Sequence, residues 1–179
     1  MVSPLRVNRV FFFRTAFALL TLASLCFAQG EEGSAVKTVS EFYGLHFARA
    51  DRMYFNPENV RRKRNWLTPR LYRLMLYEFR REREYTKANA DQALKPYFSG
   101  DVFTDSESLP QVFRVTGSKQ DGDRAWVTVV VYWNDNTVGK MKRRIRVVLA
   151  KQEGNWLIDN LLYEEGKDLV SELNRPSYL

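Results

Sequence analysis

The succession of periodicities along this chain predicts an α+β fold, with N-terminal helices packed on an antiparallel sheet. Three observations carry that expectation. Apolar residues recur at steps of three and four up to about residue 85. From Gln111 onward the period shortens to two, in four runs separated by turn-forming joints. Each half also carries an apolar stripe that needs cover, so the two halves are expected to form one unit.

The chain has 179 residues, a length that suggests one domain. Its first stretch reads as an export signal and is set aside. Arg6, Arg9 and Arg14 are the only charged residues there, an apolar run covers 15–25, and Cys26-Phe27-Ala28 follows. Cleavage is expected between Ala28 and Gln29. Only 14 residues separate Arg14 from Gln29, whereas crossing a hydrocarbon core takes roughly 20. Residues 1–28 are thus a signal peptide, 29–33 a tether and 34–179 the domain, with a periplasmic or secreted destination. Leu25, bulky and directly before Cys26, argues against lipidation of that cysteine. The mature chain would then hold no cysteine, which excludes disulfides and thiol chemistry and leaves stability to a hydrophobic core. The formal charge of +7 becomes +4 without the three signal arginines. Export excludes nucleic acid as the expected partner. An anionic membrane surface, an envelope polymer or an acidic protein takes its place, with simple solubility as the plainer role for the charge.

Ser34 is placed to cap a helix over 35–50, with Val36, Val39, Tyr43, Phe47 and Ala50 as its apolar stripe. Asn56-Pro57-Glu58 is a second start signal and opens the basic run Arg61-Arg62-Lys63-Arg64, expected as a solvated face. Thr68-Pro69 repeats the device and starts a helix to about Tyr85, with Tyr72, Met75, Leu76 and Phe79 inward and Arg80 paired with Glu84. Pro96 and Gly100 close the helical half. Phe113 and Val115 then alternate with polar neighbours. The run 124–133 is apolar on both faces, as a central strand would be. In 141–150, Ile145, Val147 and Leu149 oppose Lys142, Arg144 and Arg146. In 155–163, Trp156, Ile158 and Leu162 share a face. The joints 121–123, 134–136 and 153–155 are rich in Asp, Asn and Gly, and joints this short make antiparallel hairpins. A short helix over 168–173 stops before Pro176.

On residues 39–43 (V-S-E-F-Y), 67–72 (L-T-P-R-L-Y), 100–105 (G-D-V-F-T-D) and 154–161 (G-N-W-L-I-D-N-L), the chain resembles the nuclear-transport-factor-2-like superfamily. Within it, the nearest likeness is to the exported bacterial domain-of-unknown-function 3828 family. The resemblance implies a cone-shaped, cystatin-like architecture: a curved sheet wraps the first helix, and a pocket opens at the mouth of the cone. It implies no activity, because this fold hosts enzymes, binders and dimerisation modules alike.

The sole histidine, His46, is expected beside the buried stripe, partly buried or at the surface, and could act as a general base. Asp159 is expected on the face opposite Trp156 and Ile158. In the cone-fold isomerases a pocket aspartate moves a proton next to a carbonyl, helped by a tyrosine and a second acid; Tyr43, Tyr132 and Asp101 are the candidates for those roles. The default reading of Asp159 is an arginine-paired or solvated carboxylate. Candidate pocket residues are Tyr43, Phe47, Tyr72, Asp101, Trp126 and Tyr132. Asp101, Asp105 and Glu107 could supply oxygens to calcium, but they lack the glycine and spacing of an EF-hand loop, so neither metal nor cofactor is expected. The leading expectation is a non-enzymatic exported binding domain holding a ligand or protein partner by pocket or sheet face. A homodimer through that face and a weak contact with an anionic membrane surface are its partner readings. The alternatives are an isomerase- or hydratase-type enzyme, or an immunity or inhibitor protein.

Overall fold

The computed structural model describes residues 35–48, 55–91, 98, 100–135 and 139–175. The expected signal, tether and cleavage site, and the roles expected of Ser34, Ala50, Pro96, Asn136 and Pro176, fall outside these residues.

The chain is α+β. Helix α1 covers 35–47. Helix α2, Pro57–Arg62, has Asn56 as N-cap, its side chain accepting from the Asn59 N–H. A 3₁₀ turn, Arg64–Trp66, leads to α3, Pro69–Ala88, capped by Thr68. Both starts obey the cap-then-proline rule, in which a side-chain oxygen takes an orphan N–H and proline occupies a position that needs none. Strands β1 (Val112–Asp121), β2 (Arg124–Asp135), β3 (Gly139–Gln152) and β4 (Asn155–Leu162) pair antiparallel in sequence order. A second 3₁₀ turn, Glu164–Gly166, precedes α4, Leu169–Leu173.

The inward strand positions, Val127, Val129 and Val131 on β2 and Ile145, Val147 and Leu149 on β3, are buried in one cluster with residues from all four helices. That cluster makes the halves one unit. β2 lies inside the sheet, as its two apolar faces require.

Four details depart from the sequence expectation. The buried face of α1 is Ala35, Val39, Phe42, Tyr43 and His46, while Val36 and Phe47 are half-buried. The buried face of α3 is Leu71, Met75 and Glu78, with Tyr72, Leu76 and Phe79 at its margins. Glu78 lies between Arg81 and Arg175 and ties α3 to the end of α4; Arg80 and Glu84, the expected pair, form no ion pair. On β4 the register shifts opposite Val148 and Leu149. The extra residue turns Leu161 inward and leaves Leu162 half-exposed, so Leu162 does not share the face of Trp156 and Ile158. In the basic run, Lys63 is buried, its ammonium 5.0 Å from the centre of the Phe103 ring.

Two glycines should respond oppositely to alanine. In α1, a Cβ at Gly44 meets nothing within 4 Å, so Gly44→Ala is expected to raise stability by roughly 0.5–1 kcal/mol through the helix preference of alanine. A Cβ at Gly100 would lie 2.5 Å from the Ser106 carbonyl oxygen, so Gly100→Ala should cost about 1–3 kcal/mol. Urea denaturation of the two variants beside the parent tests both signs.

Candidate functional site at the loop between the helices and the sheet

The loop over 100–108 joins the helical half to the sheet and is organised around one buried carboxylate. Asp101 Oδ1 accepts from the Phe103 N–H at 3.0 Å, and Oδ2 accepts from the Thr104 hydroxyl at 2.7 Å. Short polar side chains after an aspartate favour such self-contained turns, because they satisfy the backbone locally. The Asp101 N–H in turn donates to the Ser106 carbonyl at 2.9 Å. The close approach at Gly100 makes room for that closure.

His46 Nε2 reaches Asp101 Oδ2 at 2.7 Å, and the two side chains are 0% and 1% exposed. His46 is therefore a member of the α1 stripe rather than a residue beside it. Helical periodicity puts it one turn after Phe42 and Tyr43, and Phe42, Phe47 and Phe103 enclose its ring. The carboxylate acceptor calls for the proton on Nε2; Nδ1 has no hydrogen-bond partner. The Tyr43 hydroxyl donates to the Phe103 carbonyl and the Tyr163 hydroxyl to the Val102 carbonyl, each at 2.7 Å. Burial, reinforced by the charge of Asp101, pushes the Tyr43 phenol well above its ordinary range. Burial does the same to Tyr163, with the charges of Asp105 and Asp101 adding to it. From β3, Arg143 donates to both the carboxylate and the carbonyl of Asp105. The loop is thus held by α1, by the residue that follows β4, and by β3.

In front of the loop opens a cleft of about 600 Å³, walled by Trp133, Met141 and Tyr163 among others, with Arg143, Lys167, Asp105, Glu107 and Glu172 as charged lining. Asp101 borders it, but its carboxylate is buried against His46.

The remaining expected site residues are scattered. Phe47 packs on Phe113, ring centres 5.2 Å apart. Tyr72 lies on α3 under the Arg64 guanidinium. Trp126 and Tyr132 point away from the core, on the outer side of β2. Of the six expected pocket residues, only Asp101 lines the cleft. Asp159 sits in the β4 bulge. Arg70 reaches its carboxylate at 2.8 Å and the Thr68 hydroxyl reaches it at 2.9 Å, which is the arginine-paired default rather than a free base. Asp101 and Asp105 turn to His46 and Arg143, so with Glu107 they gather no oxygens around a common point; among the described residues no group of three metal-ligating side chains occurs.

Tyr163, Arg143 and the His46–Asp101 pair were missed as a set. The G-D-V-F-T-D motif was the available signal, since Asp101 and Thr104 flank the apolar pair Val102 and Phe103, and one histidine exists to partner a carboxylate drawn inward with them. No protein-family model, curated protein or solved structure matches this chain.

Removing one partner from a buried pair leaves a desolvated group behind. Asp101→Ala is therefore expected to destabilise by about 3–5 kcal/mol in urea denaturation. The alkaline limit follows from the two phenols. Their folded pKa lies above that of the unfolded chain, so their contribution is complete below pH 10, the unfolded value, and is lost as pH rises beyond it. Tyrosinate absorbance should show two of the nine tyrosines ionising only together with the loss of circular dichroism; full ionisation in the folded protein would contradict the burial argument.

Proposed function

We propose that the chain is a non-enzymatic binding domain that takes a mainly apolar ligand, or a partner segment of that chemistry, into the cleft before the 100–108 loop. One observation carries this reading: both proton carriers that the sequence offers are occupied. Asp159 is held by Arg70 and Thr68, and His46 is sealed against Asp101 with no route to a substrate. A general base must come within hydrogen-bond reach of the proton it takes, and neither does. The cleft combines apolar walls with a few charged groups of both signs, Arg143 and Lys167 beside Asp105, Glu107 and Glu172, the mixture that holds and orients a mainly apolar ligand.

The helices-then-meander order, and the cleft between the loop and the sheet, support a cone of the nuclear-transport-factor-2-like kind. The basic and then apolar N-terminal stretch supports export with cleavage between Ala28 and Gln29, to the periplasm or the medium. Among the described residues no helix is long and apolar enough to cross a membrane.

Anilinonaphthalene sulfonate, an apolar anion with its own fluorescence, is a direct probe of the cleft. It should saturate one site in the parent. Met141→Trp, which fills the cleft, should weaken binding at least tenfold, whereas Asp159→Asn should leave it unchanged. Equal binding by the parent and Met141→Trp would refute a ligand site here.

A further inference from the structure

The face of the sheet turned away from the helices carries a second surface, independent of the cleft. Alternation along β3 puts Lys142, Arg144 and Arg146 on it, all exposed, while Ile145 and Val147 go to the core. Register puts these cations opposite Tyr132, Val130 and Thr128 of β2, and Arg114 of β1 opposite Val130 on its other side. Among the described residues none of these four cations has a carboxylate within 4.0 Å, although this chain forms such pairs readily elsewhere. Arg114 instead lies over the Tyr132 ring, and Lys119 over Trp126. Strand geometry spaces the three β3 cations at roughly 6.6 Å. Apolar groups share the same face: Val130 and the two aromatic rings are half-buried, and Val112 is 50% exposed.

The carboxylates nearby are few and mostly engaged. Asp121 stands at the β1–β2 hairpin opposite Arg124. Asp159 is held by Arg70. At the β4 margin, Asp168 caps α4 through Ser171 and bonds Asn160, and Glu164 borders the hollow beside Arg144 and Arg146.

We infer that this face docks onto an anionic phospholipid bilayer surface. Charge complementarity requires an anionic partner and excludes a second copy meeting it face to face, because the cation rows would confront each other. The cations stand on the inner strand β3, in the middle of the face. A protein interface would have to strip water from its middle, which is why interface cores are depleted of charge. A lipid headgroup layer stays hydrated, so the ammonium and guanidinium groups keep water while gaining phosphate. The aromatic rings and the valines suit the boundary between headgroup and acyl chain, where a ring with one polar end is at home. A soluble polyanion would satisfy the cations and leave those apolar groups in water.

Co-sedimentation of the full-length chain with vesicles tests this. The apolar N-terminal run can contact any bilayer, so the readout is the difference between phosphatidylcholine vesicles containing phosphatidylglycerol and vesicles of phosphatidylcholine alone. The anionic vesicles should bind at least tenfold tighter, and raised salt should erase the difference. Each surface cation contributes on the order of fivefold, so Lys142→Gln/Arg144→Gln/Arg146→Gln should lower anionic-vesicle binding about 100-fold. Arg144→Lys/Arg146→Lys should retain it, which separates charge from misfolding, and Met141→Trp should not affect it, which separates this surface from the cleft. Equal binding to both vesicle types would overturn the inference. So would full retention by the glutamine variant, loss in the lysine variant, or capture by poly-glutamate or an acidic protein without capture by anionic vesicles.

Discussion

A carboxylate removed from water must be answered on every side, and the Asp101 carboxylate does most to fix how the two halves of this chain meet. Its two oxygens are met by a backbone N–H, a threonine hydroxyl and the His46 ring. Two of those donors belong to its own loop and the third to α1. The turn can therefore close only when the first helix is docked in one rotational setting, with Phe42, Tyr43 and His46 inward. In a low-dielectric interior an incomplete version of this network is costlier than an apolar core of the same shape, which makes it specify a single arrangement. Tyr43, Tyr163 and Lys63 reinforce the same loop: two hydroxyls reach its carbonyls, and an ammonium lies on its phenylalanine ring.

The sheet divides the labour of the molecule. Its inner face is largely apolar, most deeply buried along β2 and the middle of β3, and supplies the cohesion of the fold. Its outer face keeps cations and aromatic rings in water, with no helix over them among the described residues. The cleft lies at the end of the sheet where the Asp101 loop, the residue after β4 and β3 converge. Its position follows from the pinned loop, because Val102, Asp105 and Ser106 line it together with Trp133 and Met141 of the sheet.

The single-residue bulge in β4 shows how one local irregularity redistributes function. Without it, Leu161 would face outward and Asp159 would stand in regular alternation. With it, the backbone beside Ile158 pairs with Leu67, and the Thr68 N–H bonds the Ile158 carbonyl at 2.8 Å. Asp159 then falls between Thr68 and Arg70 at the start of α3. The residue that looked most like a pocket base becomes a brace between the sheet and a helix N-terminus.

What the sequence determined by itself was whatever periodicity and local chemistry decide. The α+β class, the two proline-started helices, the four strands with β2 inside, and the outward row of Lys142, Arg144 and Arg146 follow from alternation, caps and turn residues, which act over a few positions. The tertiary structure alone decided the rest, since each of those features depends on which distant groups must share a desolvated space. His46 met Asp101 across 55 positions, Glu78 met Arg175 across 97, and Asp159 met Arg70 across 89. Periodicity also misjudged the stripes of α1 and α3 by about one position, because it scores His46 and Glu78 as polar. A polar side chain with a partner can lie as deep as a leucine, and the chain alone does not say where that partner is.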